Sequence, residues 1–173
     1  NLKLAVGLMM RFGSYHKKIK NLIKEDKLGQ IVSARAQLTC WFPEMENSWR
    51  QDPSQGGGGA LMDMGIHCVD ILEYIIGSQI KKLTAFIDTR TFDYKSEDSS
   101  AVLFEMENGC TGYIDNNFNI PDGASENRLE IYGTAGSILA SNTLNQVDGG
   151  KVKMYLSEKK EYDAKQERSE GET

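Results

Sequence analysis

Two carboxylates and a histidine are spaced three and four residues apart, as on one face of a helix, in the first half of the chain. Asp63, His67 and Asp70 lie in the segment GGGGALMDMGIHCVD, which spans residues 56–70. If the chain is helical from Ala60 onward, positions i, i+4 and i+7 share one stripe of an otherwise apolar helix. A carboxylate one turn from an imidazole can fix the tautomer of the ring and stabilise its positive charge, as a general acid or base requires near neutral pH. The spacing predicts proton transfer at His67, and it equally fits a partly buried structural pair.

The loop before this helix contains residue types that bind oxygen-rich ligands. Four consecutive glycines, residues 56–59, let a ligand or a backbone come close, and the helix N-terminus that follows offers unpaired N–H groups. Trp49 and Arg50 precede the glycines, and such a pair suits stacking and hydrogen bonding with a sugar. A flexible glycine loop anchored by a tryptophan is the alternative.

The elements that must position these residues begin with three contrasting patterns. Residues 2–10 form a nearly continuous apolar run, typical of a strand buried on both faces. Residues 15–27 have apolar positions at helical spacing, and Gly29 supplies the stop. From Ile31 the period changes to two, which predicts a long strand with one buried and one polar face. The buried face has Val32, Ala34, Ala36, Leu38 and Cys40, and the polar face has Ser33, Arg35, Gln37 and Thr39.

The second half of the chain is rich in predicted strands. After an irregular loop over 43–59, a helix is predicted over 60–76, with Gly77 as its end. Asn108-Gly109 predicts a type I′ hairpin turn, and the segment GTAG at 133–136 predicts another tight turn. Strands are predicted over 82–89, 100–106, 110–118, 128–132, 137–140 and 152–156. The order predicts an α+β fold: an open-faced, largely antiparallel β-sheet with helices packed on one face.

The composition argues against several partners. The 173 residues carry a net charge of -5, whereas phosphate binding needs clustered Lys and Arg, so nucleic acid is not expected. No apolar stretch reaches the roughly 20 residues that a membrane helix needs. The three cysteines form no Cys-x-x-Cys pair and there are only two histidines, which argues against a structural zinc site. Unpaired cysteines favour a reducing compartment, the cytoplasm.

Several motifs together resemble one enzyme family. The segment GGGALMDMGIHCVDILEYIIG resembles the hallmark of the Gfo/Idh/MocA (glucose–fructose oxidoreductase/inositol dehydrogenase) family, in which a glycine cluster precedes an Asp, a His four residues later and an apolar helix. Residues 6–12, VGLMMRF, resemble the last strand of the family's cofactor domain and the Arg-aromatic pair after it. LGQIV at 28–32 and GTAGS at 133–137 resemble an "LGxI" strand start and a late "GTxGS" turn. The matches follow the family's order.

The resemblance implies a two-domain enzyme that moves hydride between NAD or NADP, bound by an N-terminal Rossmann domain, and a hydroxyl or keto carbon of a sugar, inositol or related polyol. By position, His67 would transfer the proton or anchor the substrate, and Asp63 would orient it or touch a substrate hydroxyl. Arg11, Trp49 and Arg50 would line the cleft. Asp70, on the same stripe as His67, is a further candidate for substrate binding.

The family's pattern divides the chain into three parts. Residues 1–12 are expected to be the last strand and exit of a missing Rossmann domain, 13–156 the substrate-binding domain, and 157–173 a polar, poorly ordered or truncated tail. No Gly-x-Gly-x-x-Gly follows a strand, and the family's Glu-Lys-Pro motif, whose lysine assists the substrate hydroxyl, is absent. The chain alone is therefore expected to bind no cofactor and to be inactive.

Two further expectations concern assembly and function. The polar face of the long strand has no predicted helix to cover it, and many members of the family assemble through this face, so a homo-oligomer is expected there. A catalytically silent ligand-binding, regulatory or assembly domain of the same fold is the alternative to an enzyme. Retention of both Asp63 and His67 favours the enzyme.

Overall fold

Alternating apolar residues place seven strands in a single sheet. A computed structural model describes residues 2–157, 161, 162, 164 and 165. The strands are β1 (Ile31–Thr39), β2 (Ile80–Asp88), β3 (Ser99–Met106), β4 (Thr111–Asn117), β5 (Arg128–Gly133), β6 (Gly136–Ser141) and β7 (Lys151–Leu156). Their order is β2-β3-β4-β1-β5-β6-β7, and every neighbouring pair is antiparallel except the parallel pair β1–β4. The predicted α+β class and the predominance of antiparallel pairs are confirmed.

Two longer helices cover one face of this sheet. Helix α1 (Ser14–Lys24) packs on α3 (Ile66–Ile76), and α3 packs on β1. A one-turn helix, α2 (Pro53–Gly56), lies between them in the chain. The core contains apolar residues of α3 together with the inward residues of the central strands, because successive side chains of a strand point to opposite faces. Its largest fully buried members include Ile71, Leu72, Ile75, Ile114, Leu129 and Ile131.

The predicted strand over residues 2–10 is wrong for this chain. Residues 2–8 have no strand pairing, and Leu2, Leu4 and Val6 are exposed; a short 3-10 helix then runs over Met9–Phe12. A strand requires a neighbour for its N–H and C=O groups, and no described strand lies beside this segment. Its assignment to a Rossmann domain remains a prediction.

Helix α1 ends three residues before the predicted position. Asp26 adopts a positive φ of 58°, the N–H of Asp26 donates to the Ile23 carbonyl, and the N–H of Lys27 donates to the Leu22 carbonyl. These two bonds form a Schellman motif, in which Asp replaces the usual glycine. Gly29 lies beyond the end of the helix.

Two positions of β1 differ from the predicted alternation. A register irregularity between Ile31 and Ser33 turns Val32 to solvent, although it was assigned to the buried face. Thr39, assigned to the polar face, is buried because its backbone N–H and hydroxyl bond to Asn127 and Ser125. Both differences arise from partners nearly a hundred positions away in the chain. A local sequence pattern contains no information about such partners.

The remaining predictions concern the loop and the chain end. Within the predicted irregular loop over 43–59, the structure has a 3-10 turn over Trp49–Gln51 as well as α2. No helix in the described part of the chain is long and apolar enough to cross a membrane. Most of the predicted polar tail, at 158–160, 163 and 166–173, lies outside the described residues.

Candidate substrate-binding site

The helix that presents His67 begins with a wide turn. Leu61–Gly65 form a π-helical turn that runs directly into α3, where the sequence predicted one continuous α-helix. Such single π-turns widen a helix locally and occur frequently at functional sites. His67 is the second residue of α3, so the position of this turn sets the position of its ring.

Glu97 occupies the N–H groups at the start of this helix. Its carboxylate accepts hydrogen bonds from the N–H of Gly59 at 2.7 Å and of Leu61 at 3.0 Å, and its carbonyl accepts one from Ala60 at 3.0 Å. The expectation that these N–H groups are free for a ligand is therefore wrong. A carboxylate is a favourable partner here because the helix N-terminus carries partial positive charge.

The glycine run does not fit a dinucleotide. A Cβ on Gly59 would lie 1.9 Å from the Glu97 carbonyl oxygen, so this glycine is required for close packing on the Glu97 loop. A pyrophosphate placed at these N–H groups would meet the carboxylate of Glu97, a like charge at contact distance. The glycine run therefore provides no pyrophosphate site for a nicotinamide cofactor.

A cavity of about 370 Å³ opens beside the π-turn. One wall is the end of β1, another is the π-turn with the first turn of α3, and the loops after β4 and after β6 close the far side. Among the sequence-predicted residues, Arg50, Asp63 and His67 line it together. The other lining residues are Met9, Met10, Leu38, Thr39, Cys40, Met64, Asp122, Asn127, Leu144, Asn145 and Gln146.

His67 presents one ring nitrogen to this cavity. Its Nδ1 is buried and has no hydrogen-bond partner among the described residues. Since the side chain lines the cavity, Nε2 is the nitrogen that can meet a ligand. No hydrogen bond joins His67 to Asp63 or Asp70 in the part of the chain that the structure describes.

Asp63 is held by an arginine rather than by the histidine. The Arg50 Nε donates to Asp63 Oδ1 at 2.7 Å, and the guanidinium lies 4.3 Å from the centroid of the Trp49 ring. A hydrogen bond between two opposite charges is roughly twice as strong as one between neutral groups, so the guanidinium of Arg50 holds this carboxylate firmly. Trp49 supports the plane of Arg50 from outside the cavity lining.

Arg11 and Asp70 pair with each other away from the cavity. The Arg11 Nε donates to both Asp70 oxygens at 2.8 Å, a second guanidinium nitrogen also contacts the carboxylate, and Asp70 is buried. Neither residue lines the cavity. The pair ties the 3-10 turn over Met9–Phe12 to α3, and that turn supplies two methionines to the cavity wall.

Several lining residues carry no sequence signal that could have found them. Asp122 accepts a hydrogen bond from the Trp41 N–H at 3.2 Å, and Asn127 accepts one from the Thr39 N–H at 2.9 Å, so the loop between β4 and β5 is fixed to the end of β1. Burial raises the pKa of the Cys40 thiol to about 11, and the nearby carboxylates of Asp122 and Asp63 add to the rise. Cys40 is thus a neutral wall residue at physiological pH, not a nucleophile.

A second cavity, of about 380 Å³, lies between α1 and β7. Its lining includes Ile19, Leu22, Val152 and Met154, with Tyr15 and Lys18 at its side. Among the described residues, no carboxylate and no histidine lines it. We assign the candidate site to the cavity of His67, where an acid–base group and an ion pair share one wall.

Gly65 sets how closely the π-turn approaches the sheet. A Cβ on Gly65 would lie 2.9 Å from Asn116 Oδ1 and 2.6 Å from a methyl carbon of Leu61. Asn116 is fully buried, and its amide donates to the Leu38 carbonyl at 3.2 Å and to Cys68 Sγ at 3.5 Å. This side chain joins β1, β4 and α3 directly beneath the candidate site.

We expect Gly65→Ala to lower the free energy of unfolding by about 1–2 kcal/mol. Alanine gains about 1 kcal/mol of helix propensity over glycine, whereas two contacts under 3.0 Å, with Asn116 and with Leu61, put the overpacking cost at about 2–3 kcal/mol, the upper part of its usual range. Chemical denaturation measures the change, with the exposed Met62→Ala in the same turn as control, which should stay within about 0.5 kcal/mol of wild type. A Gly65→Ala variant as stable as wild type would show that the sheet does not constrain this turn.

Comparison with known proteins places the chain in a family. The family model described as the GFO/IDH/MocA C-terminal domain matches residues 16–139. This chain belongs to the Gfo/Idh/MocA family. The family resemblance indicated by the GGGALMDMGIH segment together with the three other motifs is thereby confirmed.

Individual relatives agree with this assignment. The chain is 31% identical over 144 residues to an uncharacterized oxidoreductase, YrbE, of Bacillus subtilis, covering 81% of this chain and 40% of the relative. It is 25% identical to myo-inositol 2-dehydrogenase of Thermotoga maritima, covering 80% and 41%. The structure of GenD2 from gentamicin A biosynthesis, in complex with NAD, superposes with a TM-score of 0.73 at 27% identity, covering 81% and 40%.

The chain spans about two fifths of the length of these relatives. Family members of this kind are sugar and inositol dehydrogenases that use a nicotinamide cofactor, and this chain corresponds to their C-terminal part. The activity, substrate and partners of the whole protein are therefore matters of proposal.

Proposed function

We propose that this chain is the substrate-binding domain of an NAD(P)-dependent dehydrogenase that acts on a CH–OH group of a sugar, inositol or related polyol. The observation that carries the proposal is the shared wall of His67, Arg50 and Asp63 in one cavity. A volume of about 370 Å³ lies within the range of roughly 300–1,000 Å³ typical of small-molecule sites. Family membership supports the same class of reaction.

His67 is proposed to exchange the proton at the reacting oxygen. Its buried Nδ1 has no acceptor among the described residues, so a proton there would leave a buried donor unpaired. The neutral ring therefore favours its proton on Nε2, which donates to a ligand oxygen in the cavity. This tautomer suits anchoring of a substrate hydroxyl or keto oxygen. Protonation of a keto oxygen during reduction requires the imidazolium form, which gives up its Nε2 proton and becomes the neutral ring with the remaining proton on Nδ1.

The ion pair beside His67 is proposed to bind the substrate's other hydroxyl groups. Asp63 offers a second carboxylate oxygen that can accept from a hydroxyl, and Arg50 has N–H donors beyond the one directed at Asp63. Both side chains are about one-third exposed, at 33% and 39%, so a ligand can reach them. Of the two roles predicted for Asp63, orienting His67 or contacting a substrate hydroxyl, we therefore propose the second.

The nicotinamide is proposed to bind outside this chain, on a Rossmann domain. The carboxylate of Glu97 at the glycine run supports this, because it excludes a phosphate from that helix N-terminus. We expect the isolated chain to turn over no polyol with NAD or NADP. Robust turnover by the isolated chain would contradict this expectation.

The test of the proposed function is a substrate panel. The whole protein, meaning this chain with its nucleotide-binding domain, is assayed on sugars and inositols with both cofactors, in both directions. Turnover of at least one polyol is the expected result. Cofactor binding without turnover of any panel member would favour the catalytically silent ligand-binding or assembly domain instead.

We propose that the open face of the sheet forms a homo-oligomer. On this face Arg35 lies between two tyrosines, with its guanidinium 5.5 Å from the Tyr113 ring and 5.3 Å from the Tyr132 ring, and it pairs with Glu130 at 3.4 Å. No described helix covers these groups, whereas aromatic and Arg side chains are enriched in protein interfaces. A strictly monomeric mass at high concentration by light scattering would contradict the proposal.

The cytoplasm is the proposed compartment. All three cysteines are free thiols, and Cys68 and Cys110 are buried, which supports a reducing environment. Detection of the protein only in a secreted fraction after cell fractionation would contradict this placement.

A further inference from the structure

Strand β2 is an edge strand of the sheet. It pairs with β3 on one side, and no described strand lies on its other side. From Lys82 to Asp88 the β2–β3 register advances residue for residue without a bulge, so the free edge is straight over seven positions. Proteins usually shorten, bulge or cover such an edge, because a row of unpaired N–H and C=O groups templates another strand.

Both faces of β2 expose large apolar side chains. On the helix side, Leu83 is 65% and Ile87 is 53% exposed, because α1 and α3 do not extend over this strand. On the open side, Phe86 is 77% exposed, opposite Ala101 of β3. At the other edge of the sheet, by contrast, Val152 and Met154 of β7 pack against the core.

The sequence of β2 is complementary to itself in an antiparallel register centred on Ala85. A two-fold axis normal to the sheet keeps each face on the same side in both copies. Leu83 of one copy then lies opposite Ile87 of the other on the helix side. On the open side, Lys82 lies opposite Asp88, with both side chains largely exposed at 76% and 59%. By symmetry each pair occurs twice.

We infer that β2 pairs with β2 of a second copy of this chain, joining two sheets edge to edge. The pairing supplies backbone partners for the free edge, buries the exposed apolar side chains at their cross-strand positions and brings opposite charges together. This edge is distinct from the open face around Arg35, so both contacts can exist in one assembly. The inference is independent of the proposed enzymatic function.

Charge reversal at the paired positions tests this inference. Lys82→Glu places Glu opposite Asp88, and Asp88→Lys places Lys opposite Lys82, so each single variant creates two like-charge pairs. The double variant Lys82→Glu/Asp88→Lys restores opposite charges. In analytical ultracentrifugation of the full chain across a concentration series, we expect each single variant to raise the dissociation constant about tenfold or more and the double variant to return it toward wild type.

Two controls separate this contact from other effects. Lys82 also lies 3.7 Å from Glu105, and Asp88 lies 3.4 Å from Arg90 within one copy. The double variant does not repair those contacts, so recovery of association identifies the pairing between copies. Lys153→Glu on β7 should leave the dissociation constant unchanged.

Three outcomes would overturn the inference. A wild-type chain that stays monomeric throughout the series would do so. So would single variants that associate as wild type does, or a double variant no better than the singles. If Arg35→Glu alone abolishes association while Lys82→Glu has no effect, the chain associates by its open face and not by β2.

Discussion

His67→Ala should lower kcat of the whole protein by roughly 100-fold or more on any polyol that the wild type turns over. The reason is the position of Nε2, the only ring nitrogen of His67 that can meet a ligand, on the wall shared with Arg50 and Asp63. Removing the ring removes both proton exchange and a hydrogen bond to the reacting oxygen. Steady-state kinetics with saturating cofactor give kcat and KM separately.

Matched variants distinguish chemistry from packing at this position. His67→Gln keeps an N–H donor but cannot exchange a proton, so KM should change little while kcat falls. Lys18→Ala, exposed on α1 beside the other cavity, should leave both constants unchanged. If His67→Ala retains wild-type kcat, His67 is a structural residue and the assignment of the site fails.

The second large effect is expected at Asp98, a fully buried carboxylate. It accepts hydrogen bonds from the backbone N–H groups of Arg90 at 2.9 Å, Thr91 at 2.8 Å and Phe92 at 3.1 Å, and from the Ser99 hydroxyl at 2.8 Å. Asp98→Ala leaves three backbone donors without this acceptor. A hydrogen bond to a charged group contributes about 1.5–3 kcal/mol, and water can partly replace the acceptor at Arg90 and Thr91, which are exposed, so we expect a loss of roughly 3–5 kcal/mol in the free energy of unfolding.

The loss at Asp98 should extend to the candidate site. Glu97, the neighbouring residue, caps the helix that presents His67, so loosening this loop also loosens the π-turn. Chemical denaturation of Asp98→Ala measures the stability, and Asp98→Asn, which keeps one acceptor oxygen, should lose less. An Asp98→Ala variant within about 1 kcal/mol of wild type would show that solvent replaces the carboxylate.

The part of the stability that Asp98 provides through its charge should be lost in acid. Burial alone raises the pKa of Asp98, but the three backbone N–H groups and the Ser99 hydroxyl together outweigh burial, so the pKa is lowered in the folded state. A carboxylate with a lowered folded pKa stabilises the fold above its unfolded pKa of about 3.9 and loses that contribution as pH falls through the folded value. The stability difference between wild type and Asp98→Ala should therefore shrink below about pH 4. A difference that persists unchanged at pH 2 would contradict the account.

The sheet was predictable because its signal is local. Alternation over β3, with Val102, Phe104 and Met106 buried and Ala101 and Leu103 exposed, needs only the period of two. The π-turn was not predictable, because it depends on Gly65 meeting Asn116, about fifty positions later, across the core. The prediction of a strand over residues 2–10 was wrong for a related reason. The apolar pattern of residues 2–8 is that of a buried strand, but a strand forms only where another strand lies beside it.

The candidate site was predicted in part, because local spacing determines which residues share one helix. His67 and Asp63 share a helix, so their spacing placed both at the cavity, and Arg50 precedes the same helix. Arg11 and Asp70 satisfy each other across 59 positions, a pairing that residue types alone cannot distinguish from two separate ligand contacts. Lining residues such as Asn127 and Gln146 come from loops whose approach is set by the whole sheet.

The central claim, that a polyol binds at His67, is tested most directly by observing the ring itself. The chain contains two histidines, and only His67 lines the cavity, while His16 is buried with its Nδ1 bonded to the Met10 carbonyl at 2.8 Å. Long-range ¹H–¹⁵N NMR of the histidine rings during titration with D-glucose and with myo-inositol reports on both. We predict that the Nε2 resonance of His67 shifts together with the backbone amides of Cys40 and Asn127, while the ring of His16 stays unchanged. Shifts confined to the other cavity, around Tyr15 and Val152, with a static His67 would contradict the account.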